Sequence, residues 1–210
     1  MSLKNIIRIA LGIAAIVLAY FLFESIMKPQ RFETERAGRE AQVVNRLRDI
    51  RTAQIAYRNL NGRFASTLDS LVMFLENGQL PTVKKTGEIP DSLTEAQALR
   101  LKIISRDTVF TDAYSVLFPN NPDKANHLAS LRYIPFTNRT QEFTIETGFT
   151  TRGGVQVPTI EVSALLIDYM SEPKYRQLVI NATQRAIDMN RFPGRKFGSL
   201  DDPHTEGNWE

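Results

Sequence analysis

The sequence predicts an α+β fold. A transmembrane N-terminal helix continues as an amphipathic spine, and the spine packs on a small antiparallel sheet with additional helices. Three observations carry this expectation. Residues 9–23, "IALGIAAIVLAYFLF", are an uncharged apolar run. Residues 43–57 repeat apolar side chains every third or fourth position, the spacing of one helix face. Residues 142–166 alternate apolar and polar side chains around a Gly-rich turn, the period of strands with one wet face. The chain divides accordingly into a short tail and transmembrane helix (1–28), an amphipathic spine (29–61) and an extramembrane α+β domain (62–210).

The first segment is the strongest signal. Extended from Ile6 to Met27, the apolar run is long enough, at about 1.5 Å per helical residue, to cross a hydrocarbon layer of about 30 Å. Its only charges, Arg8 and Glu24, sit near the ends, where long side chains reach the headgroups. Ile9, Leu11, Ile13, Ile16, Leu18, Phe21 and Phe23 are the candidate anchor residues. "VLA" at 17–19 loosely resembles a signal-peptidase site, but cleavage there would leave "YFLF" as an exposed apolar tail. Charge does not orient the span: Lys4 and Arg8 precede it, while Lys28, Arg31, Arg36 and Arg39 follow it.

Pro29 lacks the backbone N–H that a continuous helix needs, so a kink or break is expected there. Helical periodicity then resumes. Val43, Leu47, Ile50, Gln54 and Tyr57 fall on one narrow face, with Ala53 and Ala56 beside them. Val43, Leu47, Ile50, Ala53 and Tyr57 are the candidate packing or partner face. Arg46, Arg48, Asp49, Arg51 and Arg58 mostly occupy the other faces. Two heptads with a Gln in the seam fall short of a coiled coil, which favours packing on the home domain over a subunit seam. Asn61-Gly62 should end this helix in a left-handed cap. Ser66 or Thr67 should cap the next, which carries Leu68, Leu71, Val72 and Leu75 and stops at Gly78.

Beyond it, "TVKKTGEIP" (82–90) reads as a loop. Thr94 can cap a helix over "EAQALRLKII", and "TVFTDAYSVLF" (108–118) favours a strand through its β-branched and aromatic content. "LRYIPF" (131–136), "EFTIETGF" (142–149) and "VQVPTIEVSALL" (155–166) read as a three-stranded meander. In the last of these the apolar phase shifts across Pro158, implying a bulge or an edge strand. "KYRQLVINATQRAIDMN" (174–190) is a late helix opened by Pro173. The turn-rich tail carries Phe192, Phe197, Leu200 and the only Trp, Trp209, and is expected to dock.

Composition narrows the chemistry. A net charge of +3 over 210 residues is too small for a nucleic-acid binder, and with no Cys neither disulfides nor thiolate chemistry can occur. There is no P-loop and no GxGxxG, and neither His127 nor His204 lies in a nucleophile motif. Asp201, Asp202, His204 and Glu206 could face a cation but lack EF-hand spacing. No enzyme activity, cofactor or metal is expected. Asp69-Ser70-Leu71, Asp91-Ser92-Leu93 and Asp107-Thr108-Val109 resemble acceptor motifs for bacterial O-glycosylation.

One stretch carries a family resemblance. An apolar helix passes a proline, continues as a spine to Ala56-Tyr57, then reaches Gly62, Phe64 and a Leu68/Leu71 helix. Over roughly residues 6–80 this resembles the N-terminal region of type IV pilins and the pseudopilins of type II secretion. The prepilin-peptidase motif of that family is lacking: Gly12 precedes Ile13, and no acid follows until Glu24. The resemblance implies a single-pass protein of the bacterial inner membrane with a periplasmic C-terminal domain. It also implies a non-enzymatic structural or assembly component of a secretion or pilus-type machine. The partners would be the bilayer and other membrane or envelope proteins, copies of this chain included. A membrane-tethered periplasmic ligand-binding or sensory module is the alternative.

Overall fold

A computed structural model describes residues 3–86 and 105–210 and is α+β, with a long apolar N-terminal helix and small antiparallel sheets. Helix α1 (Leu3–Asn61) is followed by α2 (Leu68–Asn77), β1 (Gln79–Thr86), β2 (Ser105–Asp112), α3 (Ala113–Leu117) and α4 (Lys124–Leu131). Strands β3 (Thr144–Arg152) and β4 (Val155–Leu165) then form a hairpin. A short α5 (Leu166–Tyr169), a 3₁₀ turn (Pro173–Tyr175), α6 (Arg176–Asp188) and β5 (Gly194–Ser199) complete the chain.

Helix α1 has 59 residues and runs through Pro29; of the kink or break expected there, the break does not occur. A helical proline removes one hydrogen bond and crowds one carbonyl, and the turns on either side are enough to carry the helix across. The two halves of α1 differ sharply in exposure. Leu11, Ile13, Ile16, Leu18, Phe21 and Phe23 are exposed, and Ile9 lies in the same helix. This half is long and apolar enough to cross a membrane. Among the residues whose burial is described, Phe32 is the first buried one, seated edge-on against Tyr175 with ring centroids 5.4 Å apart. From Val43 to Ala53 the apolar stripe is wholly buried.

That stripe lies in one core with Ile160, Val162 and Ala164 of β4 and Phe197 of β5. Helix α2 adds Leu71, Phe74 and Leu75, and α4 adds Leu128 and Leu131. Thr67 is the N-cap of α2, its hydroxyl accepting from the Ser70 N–H at 3.2 Å. Gly62, with φ +71°, ends α1 by donating its N–H to the Arg58 carbonyl.

The sheets depart from expectation in four places. Residues 82–86 belong to β1, paired antiparallel with β2, where a loop was expected. β-Branched Thr82 and Val83 satisfy strand geometry despite the lysines that follow. "TVFTDAYSVLF" splits at Asp112, whose carboxylate caps α3 through the Ser115 N–H. "LRYIPF" is no strand: only Tyr133 bridges, to Glu142, and Phe136 takes a positive φ. The third strand of the main sheet is instead β5, inside the tail, so the order is β3-β4-β5.

β4 is therefore central, and its register with β3 runs from Thr144↔Ser163 to Arg152↔Val155 without a bulge. β5 pairs only Ile160–Leu165, so Pro158 lies where no second neighbour needs its missing N–H. The apolar phase shift arises because the hairpin tip overhangs the core, leaving Phe149 and Val155 exposed. The helix expected over 95–104 and the motif at Asp91-Ser92-Leu93 lie outside the described residues.

Candidate functional site

The candidate face Val43, Leu47, Ile50 and Ala53 is buried on the home domain, and Tyr57 is half-buried, its ring edge-on to Phe74. Gln54, on the same face, is fully buried because it clips the following turn. Its amide nitrogen donates to the Ala65 carbonyl (3.0 Å) and its oxygen accepts from the Ala65 N–H (2.9 Å). A buried amide is tolerated when both ends are paired.

The flanks of α1 are polar and just as engaged. Glu40 is buried, and accepts from the Arg36 Nε at 2.8 Å, from the Arg195 Nε at 3.1 Å and from the Tyr169 hydroxyl at 3.4 Å. Burial alone would raise the Glu40 carboxyl, but the hydrogen bonds and charges of Arg36 and Arg195 outweigh it and hold the pKa below the ordinary range. Burial and the neighbouring Glu40 charge push the Tyr169 hydroxyl up. Arg39 donates to the Tyr169 carbonyl at 2.8 Å and pairs with Glu35 and Glu172. Arg36 also pairs with Glu33 at 3.7 Å, so the two arginines are matched by two carboxylates.

The cluster borders a cleft of about 680 Å³ between the middle of α1, helix α6 and β5. Arg36, Arg185, Arg191, Arg195 and Lys196 line it, against the single carboxylate of Glu33. Phe32, Leu178, Met189 and Phe192 form its apolar walls. Lys196 is engaged by Glu161 at 2.7 Å, while Arg185 and Arg191 pair with no carboxylate among the described residues. The cleft escaped sequence reasoning because Arg36 is far in sequence from Arg185, Arg191, Arg195 and Lys196, and nothing local shows that the fold brings them together. Arg36 and Arg39 stood out only as charges following the apolar run.

A second constellation links distant residues. The Tyr114 hydroxyl lies 2.9 Å from His127 Nδ1, and His127 Nε2 lies 3.2 Å from the Asp49 carboxylate. Phe118 stacks edge-on against the imidazole at 4.9 Å. Burial raises the Tyr114 pKa, the wrong direction for a nucleophile. The chain pins α1 to α3 and α4, as does Arg46, which donates to Ser130 at 2.5 Å. Burial lowers the Arg46 pKa.

The tail docks. The Glu206 backbone carbonyl accepts from the Gly198 N–H, Gly207 bridges Phe197, and Glu210 pairs with Arg51 at 2.6 Å. Its acids do not converge: Asp202 pairs with Arg152, and His204 accepts from the Glu206 N–H. No group of three or more His, Asp or Glu side chains comes together among the described residues. Of the Asp-Ser/Thr motifs, Asp69-Ser70-Leu71 lies in α2 and Asp107-Thr108-Val109 in β2. No protein-family model, curated protein or solved structure matches this chain.

Proposed function

We propose that this chain is a single-span protein of a bacterial inner membrane that works by assembling with other envelope proteins. The observation that supports this is the division of α1. One uninterrupted helix is bare and apolar through its first half and wholly committed to its own domain from Val43 to Ala53. A spine buried at home leaves the exposed half as the surface for lipid and for neighbouring spans. The continuous helix on an antiparallel sheet is compatible with the pilin and pseudopilin resemblance, and on that resemblance the domain is periplasmic. Without a prepilin-peptidase motif, the chain is a fixed component and not an extracted filament subunit.

Photocrosslinking residues placed one at a time at Leu11, Ile13, Leu18 and Phe21 test the reading in native membranes. Protein adducts confined to one stripe of the helix are expected. Adducts with lipid alone at all four positions would refute assembly through the span.

The basic cleft favours a second reading, a tethered ligand-binding module, because convergent polar groups in a concave site are what such modules present. Under that reading Arg185 and Arg191 would matter for function while the span could be exchanged for an unrelated apolar helix.

A further inference from the structure

We propose that the cleft between α1, α6 and β5 holds the phosphodiester headgroup of an anionic phospholipid. The proposal rests on the reading of residues 6–27 as a membrane span, and the height of the cleft follows from that reading. Pro29 and Phe32 line the cleft, and α1 is continuous from the apolar run through both. At about 1.5 Å per residue, Pro29 stands about 3 Å and Arg36 about 14 Å beyond Met27. The polar layer on each side of a bilayer is about 5–8 Å deep. The lower mouth of the cleft therefore lies within the headgroups and its upper part just above them.

The lining has the chemistry of that layer. Five cations line the cleft; Glu33, Glu40 and Glu161 answer three of them, which leaves an excess of two, and arginine guanidinium groups match phosphate oxygens in a bidentate fork. Arg185 and Arg191 have no carboxylate partner among the described residues, so they can serve a ligand without breaking an internal ion pair. Arg36 and Arg195 are held in place by Glu40 and present a fixed floor. The C-terminal end of α6 adds partial negative charge, which Arg185 and Arg191 outweigh. The apolar walls argue for a lipid over a small soluble anion. Phe32, Leu178, Met189 and Phe192 offer a surface for the glycerol backbone and the first acyl carbons.

The full-length chain in mild non-ionic detergent, given equal amounts of phosphatidylglycerol and phosphatidylcholine, decides the matter by native mass spectrometry. One phosphatidylglycerol should be retained with a preference of about tenfold. The R185Q/R191Q variant should lose that preference with an unchanged melting temperature, R185K/R191K should keep only part of it, and K28Q/R31Q should keep it fully. No preference in the wild-type chain would overturn the proposal. So would a preference that survives R185Q/R191Q but vanishes in K28Q/R31Q, which would place it on the cations flanking the span. Displacement of the lipid by millimolar glycerophosphate or inorganic phosphate would make the cleft a soluble-anion site, and would equally overturn it. Lipid retention is read on the isolated chain, so a failure to crosslink envelope partners would remove the assembly reading and leave this result standing.

Discussion

Gln54 and Glu40 show how α1 is held by polar side chains as firmly as by apolar ones. Gln54 satisfies both backbone groups of Ala65. Gln54→Leu would fill the same space but leave a buried N–H and a buried carbonyl unpaired, at about 1–3 kcal/mol for each group. The expected outcome is a loss of roughly 2–4 kcal/mol in denaturant unfolding. A variant as stable as the wild type would mean that water reaches the turn. Glu40 sets the acid limit. Its folded pKa lies below its unfolded value, so its contribution is fully present above the ordinary carboxylate range and is lost as pH falls through the folded pKa. Stability should fall below about pH 4, with a shallower fall in Glu40→Gln. At neutral pH that variant should be weaker by about 2–4 kcal/mol, because Arg36 and Arg195 lose their shared partner. Identical pH profiles for the two proteins would show that Glu40 carries none of this.

Among the elements, those fixed by local rules were legible in the sequence and those fixed by distant partners were not. The span, the Gly62 cap, the Thr67 cap and the β3–β4 hairpin each declare themselves within a few residues, through hydrophobic run, turn chemistry or alternation. Strand β5 does not. "GRKFGS" has one apolar residue, Phe197, and becomes a strand only because β4 offers an open edge and the tail covers its far side. The same applies to the cleft and to the Tyr114–His127–Asp49 chain, whose members are far apart in sequence. Gly198 is the residue that makes β5 fit. It takes φ +77°, and a Cβ there would collide with the Ile160 carbonyl oxygen of the neighbouring strand. Gly198→Ala should cost at least about 2 kcal/mol and free the tail. Hydrogen exchange should then speed up at Lys196 through Asn208 and stay slow in β3. Uniform exchange across both segments would count against a separately docked edge strand.

For the whole molecule, the boundary between the exposed half of α1 and its domain lies at Phe32. A fragment beginning at Lys28 keeps Phe32 on Tyr175 and the Arg36–Glu40 pair, whereas one beginning at Gly38 loses both. The longer fragment should melt higher, and equal melting points would move the boundary towards Val43. The intact chain should stay with membranes through high salt and alkaline carbonate, because an apolar span and not surface charge holds it. The apolar segment should be retained in the mature protein, while an N-terminus at Tyr20 would reveal a cleaved signal. The passage of α1 through Pro29 without a break has a further result. With residues 6–27 as the proposed span, the count of residues between Phe23 and Phe32 fixes the compass bearing of the domain about the membrane normal, since each residue turns the helix by about 100°. One alanine inserted between Lys28 and Pro29 would swing the cleft about a quarter-turn away from whatever neighbours the span. Seven would restore the bearing to within about 20° and lift the cleft by roughly 10 Å, clear of the headgroups. Such a pair of insertions separates orientation from altitude: the first should disrupt partner contacts, the second lipid contact alone.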